Sequence, residues 1–571
     1  MKGIFWILNP FRFLWLVPER LLLSISKHRS LAGHPRIALR LSRLLPGYQI
    51  HESRFFSCDG APDGIAENRR RGFQDLVNHS QLRAPKTLAA SYALETSISD
   101  LAFVNRYRIP FPFVEYVAKH LGQGAFVSES RGVKVSDLDG NWSYDISGSY
   151  GVNLFGTDFY KECIEQATRD ARALGLVLGS YHPIVTDNVS RLLDISGMEE
   201  VSFHMSGTEA VMQAVRLARY HTKRRRAVRF TGAYHGWWDG VQAGPGNPIP
   251  AHDLFTLEEM SEKTLVVLRT RDDIACVLVN PIQCMSPNHA PATDGTLIVQ
   301  SRESNLDRNA YKKWLSKLRE VCDQRRIVLI FDEVFLGFRL ARGGAQEYFG
   351  VKADLVTYGK TLGGGLPVGV LCGKHKLMKR YDSQHPANIC FARGTFNSHP
   401  YVMTAMNRFL RHVDTDSASE TWNDIDARWD GRAARLNARL EEAGLPIRVA
   451  NLTSVFNTVY TQPGRYHWMF QYYLREAGLS LSWIGASRLV FSHDYDDDQF
   501  DEVARRFVSA GIKMQSDGWF WLAPGTKVKD LKRMIRNELF EAMLFRLPWA
   551  EKSASLNSTR VVPPSTQAGS L

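Results

Sequence analysis

Cysteine is scarce in this chain: seven in 571 residues, odd in number, scattered, and without one Cys-x-x-Cys pair. That pattern excludes a disulfide framework and a thiolate zinc site, leaves no metal expected, and implies a reducing compartment such as the cytoplasm. No uninterrupted apolar run reaches the roughly 20 residues that a membrane-spanning helix needs. Near the N-terminus, residues 3–8, 13–17 and 21–25 are apolar, but Asn9-Pro10, Arg12 and Pro18-Glu19-Arg20 interrupt them. A signal peptide would need one continuous apolar region and a small-residue cleavage site. What remains is an amphipathic, basic, Trp- and Phe-bearing segment. It suits the surface of a membrane, or packing against the protein body or a partner enzyme. A net charge of +12 comes without any nucleic-acid motif and with dispersed basic residues, so nucleic acid is not an expected partner.

The ordinary balance of 44% hydrophobic and 23% charged residues places the chain among globular proteins. Its length allows roughly three or four domain-sized units. Residues 1–95 read as a basic, partly amphipathic extension. Arg36, Arg40 and Arg43 share one helical face there, with Ile37, Leu41 and Leu44 on another. Arg69-Arg70-Arg71 reads as a solvated face of a helix over 67–77. Residues 132–145 read as a hairpin around Asp139-Gly140-Asn141. The tail from about Ser553 is Ser-, Thr- and Pro-rich and is expected to be disordered.

The chemistry concentrates in a few stretches. Residues 327–331 read Ile-Val-Leu-Ile-Phe and end on Asp332. This is a strand buried on both faces, delivering a carboxylate at its C-terminal end, where open α/β sheets bind ligands. Lys360 stands at the mouth of a turn carrying Gly363, Gly364 and Gly365. A lysine so placed can form a Schiff base with a carbonyl compound. Ser206 and Glu209 have capping-box spacing, so a helix is expected to begin there, with Val211, Val215 and Ala218 as its apolar stripe. Its N-terminal Ser206-Gly207-Thr208 offers free backbone N–H groups and a positive dipole end to a phosphate.

As an ordered set the motifs are specific. They run Ser-Gly-Thr-Glu-Ala (206–210), Tyr-His-Gly (234–236), Phe-Asp-Glu-Val (331–334), Gly-Phe-Arg (337–339), Gly-Gly-Ala-Gln (343–346), Gly-Lys (359–360), Gly-Gly-Gly-Leu-Pro-Val-Gly (363–369) and Gly-Thr-Phe-Asn (394–397). Over roughly residues 100–545 this set resembles the class III pyridoxal-phosphate-dependent aminotransferases, nearest the glutamate-1-semialdehyde 2,1-aminomutase branch. The resemblance implies an α/β fold of type I. A large domain with a mostly parallel seven-stranded sheet between helices is joined to a smaller α+β domain. The expected divisions are the extension 1–95, a small-domain segment 96–165, the large cofactor-binding domain 166–412, the C-terminal small domain 413–548 and the tail 549–571.

The resemblance also implies roles. Lys360 holds pyridoxal 5′-phosphate and Asp332 pairs with its pyridinium nitrogen. Ser206, Gly207 and Thr208 cradle its phosphate, Tyr234 stacks on its ring, and Gln283 reaches its 3′-oxygen. His235 reads as a structural core histidine. Thr395 reaches the phosphate of the neighbouring subunit's cofactor, in a homodimer with shared sites. Arg108 lies near the aminomutase arginine for the substrate carboxylate. The chain departs from the pattern at Tyr150, which occupies a Trp position, at Asn280, where Glu is usual, and at Leu336, which replaces a small polar residue. These changes favour an aminotransferase that passes an amino group from a small-molecule donor to an apolar aldehyde or ketone. An intramolecular aminomutase is the alternative. An inactive membrane-attached scaffold is the alternative from another class, and retention of both Lys360 and Asp332 argues against it.

Overall fold

The structure, a computed structural model, describes residues 20–27, 33–122, 124–244, 246–247, 252–288, 306–482 and 485–544. The apolar stretches at 3–8 and 13–17 and the tail expected to be disordered lie outside these residues.

Seven strands form the central sheet: β1 (Glu200–His204), β2 (Arg226–Phe230), β3 (Leu254–Leu257), β4 (Ile274–Val279), β5 (Val328–Asp332), β6 (Leu355–Gly359) and β7 (Gly369–Gly373). Their spatial order is β3-β2-β4-β5-β6-β7-β1. All neighbours are parallel except β7, which runs antiparallel to both β6 and β1. Every residue of β4 through β7 is buried, which is why these strands read as continuous apolar runs rather than alternating ones. Alternate residues feed two separate cores. Val277, Leu329, Phe331 and Val356 face a core that takes in the helices Arg308–Arg325 and Pro400–Val413. Cys276, Leu278, Ile330 and Leu355 face Val211, Ala214, Val215 and Ala218 of the helix Gly207–Thr222. That helix starts one residue after the expected cap and carries the expected stripe.

The hairpin at 132–145 is present, with Lys134–Ser136 paired to Trp142–Asp145. The strand Trp142–Asp145 also pairs in parallel with Leu479–Ser480. A three-stranded sheet of Ile447–Leu452, Val455–Tyr460 and Arg488–Val490 packs with the helices Ile425–Glu442 and Asp497–Ser516 around a second large core.

The extension contributes to that second core. Phe55, Phe56, Phe73 and Leu76 pack there with Phe470 and Trp519. The three-arginine run is not a solvated face throughout: Arg69 is completely buried, while Arg70 and Arg71 are exposed. The Arg69 guanidinium grips both oxygens of Asp59 at 2.9 and 2.8 Å and donates to the carbonyls of Phe56 and Gly518. A buried guanidinium is tolerable only with such full pairing. Further upstream, Leu22 and Leu23 of a helix at 20–26 pack against the large-domain core, and Leu21 and Ile25 stay exposed. The helix Pro35–Leu44 buries only Ala38 and leaves Ile37, Leu41 and Leu44 in solvent. Among the described residues no helix is long and apolar enough to cross a membrane.

Candidate active site

Register brings the site together. Val279 of β4 lies beside Phe331 of β5, so Asn280 and Asp332 end neighbouring strands at one edge. Asp332 pairs in turn with Thr357 of β6, two residues before Gly359 and three before Lys360. The helix Gly207–Thr222 starts at the same edge. A Cβ added to Gly359 would stand 3.8 Å from Gly207 Cα, and one on Gly207 would meet Val334 at 2.6 Å. Only glycines allow the helix N-terminus this close to the ends of β5 and β6.

Asp332 is buried and held on both oxygens. His235 Nδ1 lies 2.8 Å from Oδ2, and Oδ1 accepts from Thr357 Oγ1 at 3.3 Å and from the N–H of Val334 at 3.2 Å. His235 was expected to be structural. It is fully buried, and its place is to position the carboxylate; the Tyr-His-Gly motif contained the residue but not its target. Tyr234, one residue earlier, is exposed. Asn280 Nδ2 donates to the Tyr234 carbonyl at 3.2 Å, while its Oδ1 is buried without a partner. Gln283 is buried in the single turn Pro281–Met285 after β4, and among the described residues no side-chain hydrogen bond ties it to Asp332 or Lys360.

Lys360 sits in a left-handed conformation with φ 48°. Burial lowers its pKa, the Asp332 charge raises it and Arg339 lowers it again, with a net downward shift. A lowered pKa increases the share of neutral amine, the form that attacks a carbonyl. Its Nζ lies 5.6 Å from the centre of the Phe335 ring, and a Cβ at Gly151 would meet that ring at 2.7 Å and Lys360 Cδ at 3.5 Å. Phe335 is thus a wall of the site that the sequence reading passed over. Leu336, read as a pocket residue, is fully buried in the large-domain core.

The Gly-Phe-Arg motif also acquires a role. Arg339 is buried and donates to Ser454 Oγ and the carbonyls of Phe491, Gly151 and Asn153. It therefore ties the large domain to the C-terminal region and to the turn carrying Tyr150. The Gly-Gly-Ala-Gln motif closes around Glu333, whose carboxylate accepts from the N–H groups of Ala345 and Gln346. A Cβ on Gly344 would strike that carboxylate, so the glycine is required.

Tyr150 precedes Gly151 in the turn Gly148–Gly151, and the Arg108 carbonyl accepts from Gln471 Nε2 at 3.4 Å. Thr395 is exposed in a turn at 395–398. No group of metal-ligating side chains occurs among the described residues.

These residues fit pyridoxal phosphate. There is a buried, oriented carboxylate for a pyridinium, an amine of lowered basicity, and a capped helix N-terminus whose first N–H groups lack intrahelical partners. A buried Asn280 oxygen is left unsatisfied beside them.

Fold and site together define a pyridoxal-phosphate-dependent transferase of fold type I. Residues 116–510 match the family pattern Aminotransferase class-III, and the chain belongs to that family. A glutamate-1-semialdehyde 2,1-aminomutase of Methanococcus maripaludis strain C7 is 32% identical over 374 residues, covering 62% of this chain and 77% of that protein. A solved structure titled "Transaminase with PLP bound" is 25% identical, with a TM-score of 0.59 over 75% of this chain and 98% of its own. The glutamate-1-semialdehyde aminomutase structure from Pseudomonas aeruginosa PAO1 is 18% identical with a TM-score of 0.62, covering 79% and 99%, and shares the fold.

Proposed function

We propose that this enzyme is an intermolecular aminotransferase that passes an amino group from a small-molecule donor to an aldehyde or ketone in a biosynthetic pathway. The observation that carries the reading is the setting of Lys360, whose amine lies among Phe335, Gly151 and the Asp332 charge. Lys360 and Asp332 would hold pyridoxal phosphate, which would supply a carbonyl for the lysine amine and an electron sink for the substrate. With the cofactor bound, Lys360 Nζ would hold and return the proton that moves. Asp332, fixed by His235, keeps a positive ring nitrogen. Phe335 and the exposed Tyr150 offer an apolar stem somewhere to lie. Leu336 no longer supports that apolar character, because it is in the core.

An aminomutase is the second reading. Relatives bearing that name, and the place of Arg108 in the sequence near the aminomutase arginine for the substrate carboxylate, favour it. A screen of amines and aldehydes on the purified protein, following cofactor absorbance, separates the two. Aminotransfer requires a donor and gives ping-pong kinetics. Conversion of glutamate semialdehyde without a donor would establish the aminomutase instead.

We place the enzyme in the cytoplasm as a homodimer, in keeping with its seven unpaired cysteines and with exposed Phe391 and Phe396 flanking Thr395. The exposed Ile37, Leu41 and Leu44, alongside exposed Arg36, Arg40 and Arg43, suit peripheral contact with an anionic lipid surface. Cosedimentation with vesicles containing phosphatidylserine tests that contact. A partner enzyme binding the same helix is the competing outcome.

A further inference from the structure

Lys360 holds its backbone in the left-handed region, at φ 48°, which a residue with a side chain rarely adopts. Such a conformation costs energy and persists only where the surroundings fix it. Thr361, the next residue, shows one such contact. Its Oγ1 lies 2.5 Å from the hydroxyl oxygen of Tyr160, which belongs to the helix Thr157–Ala171. The same Tyr160 oxygen accepts from the N–H of Leu154 at 3.0 Å. Having accepted from Leu154, Tyr160 can donate its own hydrogen to Thr361. Tyr160, Thr361 and Leu154 are all buried. Burial pushes the Tyr160 pKa up to about 12, so the group is a neutral hydroxyl near neutral pH.

The glycines after Lys360 bring that helix in. A Cβ on Gly365, whose φ is 97°, would meet Ile164 at 3.0 Å and Tyr160 Cβ at 3.4 Å. A Cβ on Gly364 would strike the carbonyl oxygen of Ala405 at 2.4 Å, in the helix Pro400–Val413. Thr404 of that second helix donates to the Ala167 carbonyl of the first at 3.2 Å. Two helices joined to each other therefore close on the turn that begins at Lys360. Packing of this kind limits how far the turn can move, while the Tyr160 hydroxyl adds a directional contact at the residue beside the lysine. Leu154 adds a second link. It follows by three residues Gly151, where a Cβ would stand 3.5 Å from Lys360 Cδ. One phenolic oxygen thus ties the backbone after Lys360 to the segment that walls the Lys360 side chain.

We propose that Tyr160 is a positioning residue for the reaction: through Thr361 its hydroxyl holds Lys360 in the left-handed conformation and keeps the amine between Phe335 and Gly151. Tyr160 acts only through its neighbours and does not touch the reacting atoms. The inference rests on the reading of Lys360 as the lysine that carries the cofactor. Tyr160→Phe keeps the ring and the helix packing and removes the hydroxyl alone. Thr361→Val breaks the same contact from the other side, and Thr361→Ser keeps it.

The test uses the full-length protein and has two readouts. In the first, pyridoxal phosphate is added at saturating concentration to cofactor-free protein, and the rate at which lysine-linked absorbance appears is followed. Tyr160→Phe and Thr361→Val should each slow this step roughly fivefold or more, and Thr361→Ser should stay within about twofold of wild type. The double variant Tyr160→Phe/Thr361→Val should be no slower than the slower single variant, because both remove one contact. In the second, acetylation of Lys360 by acetic anhydride in cofactor-free protein is measured against pH by peptide mass spectrometry. Its midpoint should rise by about half a pH unit or more in Tyr160→Phe, as the released amine gains water. Wild-type rate and midpoint in Tyr160→Phe, or independent losses that multiply in the double variant, would overturn the proposal. Should Tyr160→Phe not fold, Thr361→Val is judged by the same two criteria. If Lys360→Ala acquires the same absorbance as wild type, the reading of Lys360 fails, while the acetylation midpoints still decide whether Tyr160 positions this lysine.

Discussion

His235 Nδ1 lies 2.8 Å from Asp332 Oδ2, and both side chains are out of reach of water. Removing the imidazole leaves a buried carboxylate oxygen without its donor, at a cost of about 1.5–3 kcal/mol for a hydrogen bond to a charged group. His235→Ala should still bind pyridoxal phosphate but lose roughly ten- to a hundredfold in turnover, and the pH dependence of kcat should move. His235→Asn, which keeps a donor, should recover part of the loss. Wild-type turnover and pH profile in the alanine variant would return His235 to a purely structural role.

Lys360→Ala should abolish the absorbance of lysine-linked cofactor while leaving the circular dichroism spectrum intact, because the residue sits in a turn after β6 rather than in a core. Asp332→Asn should bind the cofactor yet lose most activity, since an amide does not stabilise a protonated pyridine as a carboxylate does. Full turnover by either variant would remove that residue from the chemistry.

Thr395 is exposed, and the shared-site reading has it reach the cofactor of a partner subunit. Mixing inactive Lys360→Ala subunits with inactive Thr395→Ala subunits should restore some activity, because one site in the hybrid would be intact. Heterodimers that form without recovering activity would count against a shared site.

Glu333 titrates unusually: burial raises its pKa from 4.5 to about 7, opposed by the N–H groups of Ala345 and Gln346 and assisted by Asp332. The folded state therefore holds this proton to higher pH than the unfolded chain does. Its contribution to stability is fully present below 4.5 and is lost as pH rises towards 7. The loss amounts to at most about 3 kcal/mol. Denaturant midpoints measured across that range should fall with pH in wild type. Glu333→Gln should show a shallower slope, and identical slopes would place the titration elsewhere.

Much of the catalytic edge was legible because its cues are local. The run ending at Asp332 is apolar throughout, as a strand covered on both faces must be. Ser206 announces a helix three residues ahead of Glu209, and Ser206 Oγ does accept from the Glu209 N–H. What was missed depends on partners far along the chain. Arg69 read as solvated because its neighbours are arginines, but its charge is met by Asp59 and its remaining donors by residues as distant as Gly518. Leu336 read as a pocket residue because it follows Asp332 closely, yet the chain turns after β5 and buries it.

The interleaving of residues 48–145 with residues 479–538 has a consequence for synthesis. Arg69 is closed over by the carbonyl of Gly518, Tyr48 donates to Glu538, and the strand Trp142–Asp145 pairs with Leu479–Ser480. Residues 48–145 leave the ribosome well before residues 479–538 and cannot complete their packing until those have followed. Meanwhile Phe55, Phe56 and Phe73 lack the share of their core that Leu489, Phe491, Phe507 and Trp519 supply, while the large domain can already close on its own two cores. A nascent chain stalled before residue 479 should therefore expose an aromatic surface upstream of a folded domain, making it a substrate for chaperones that bind early and release late.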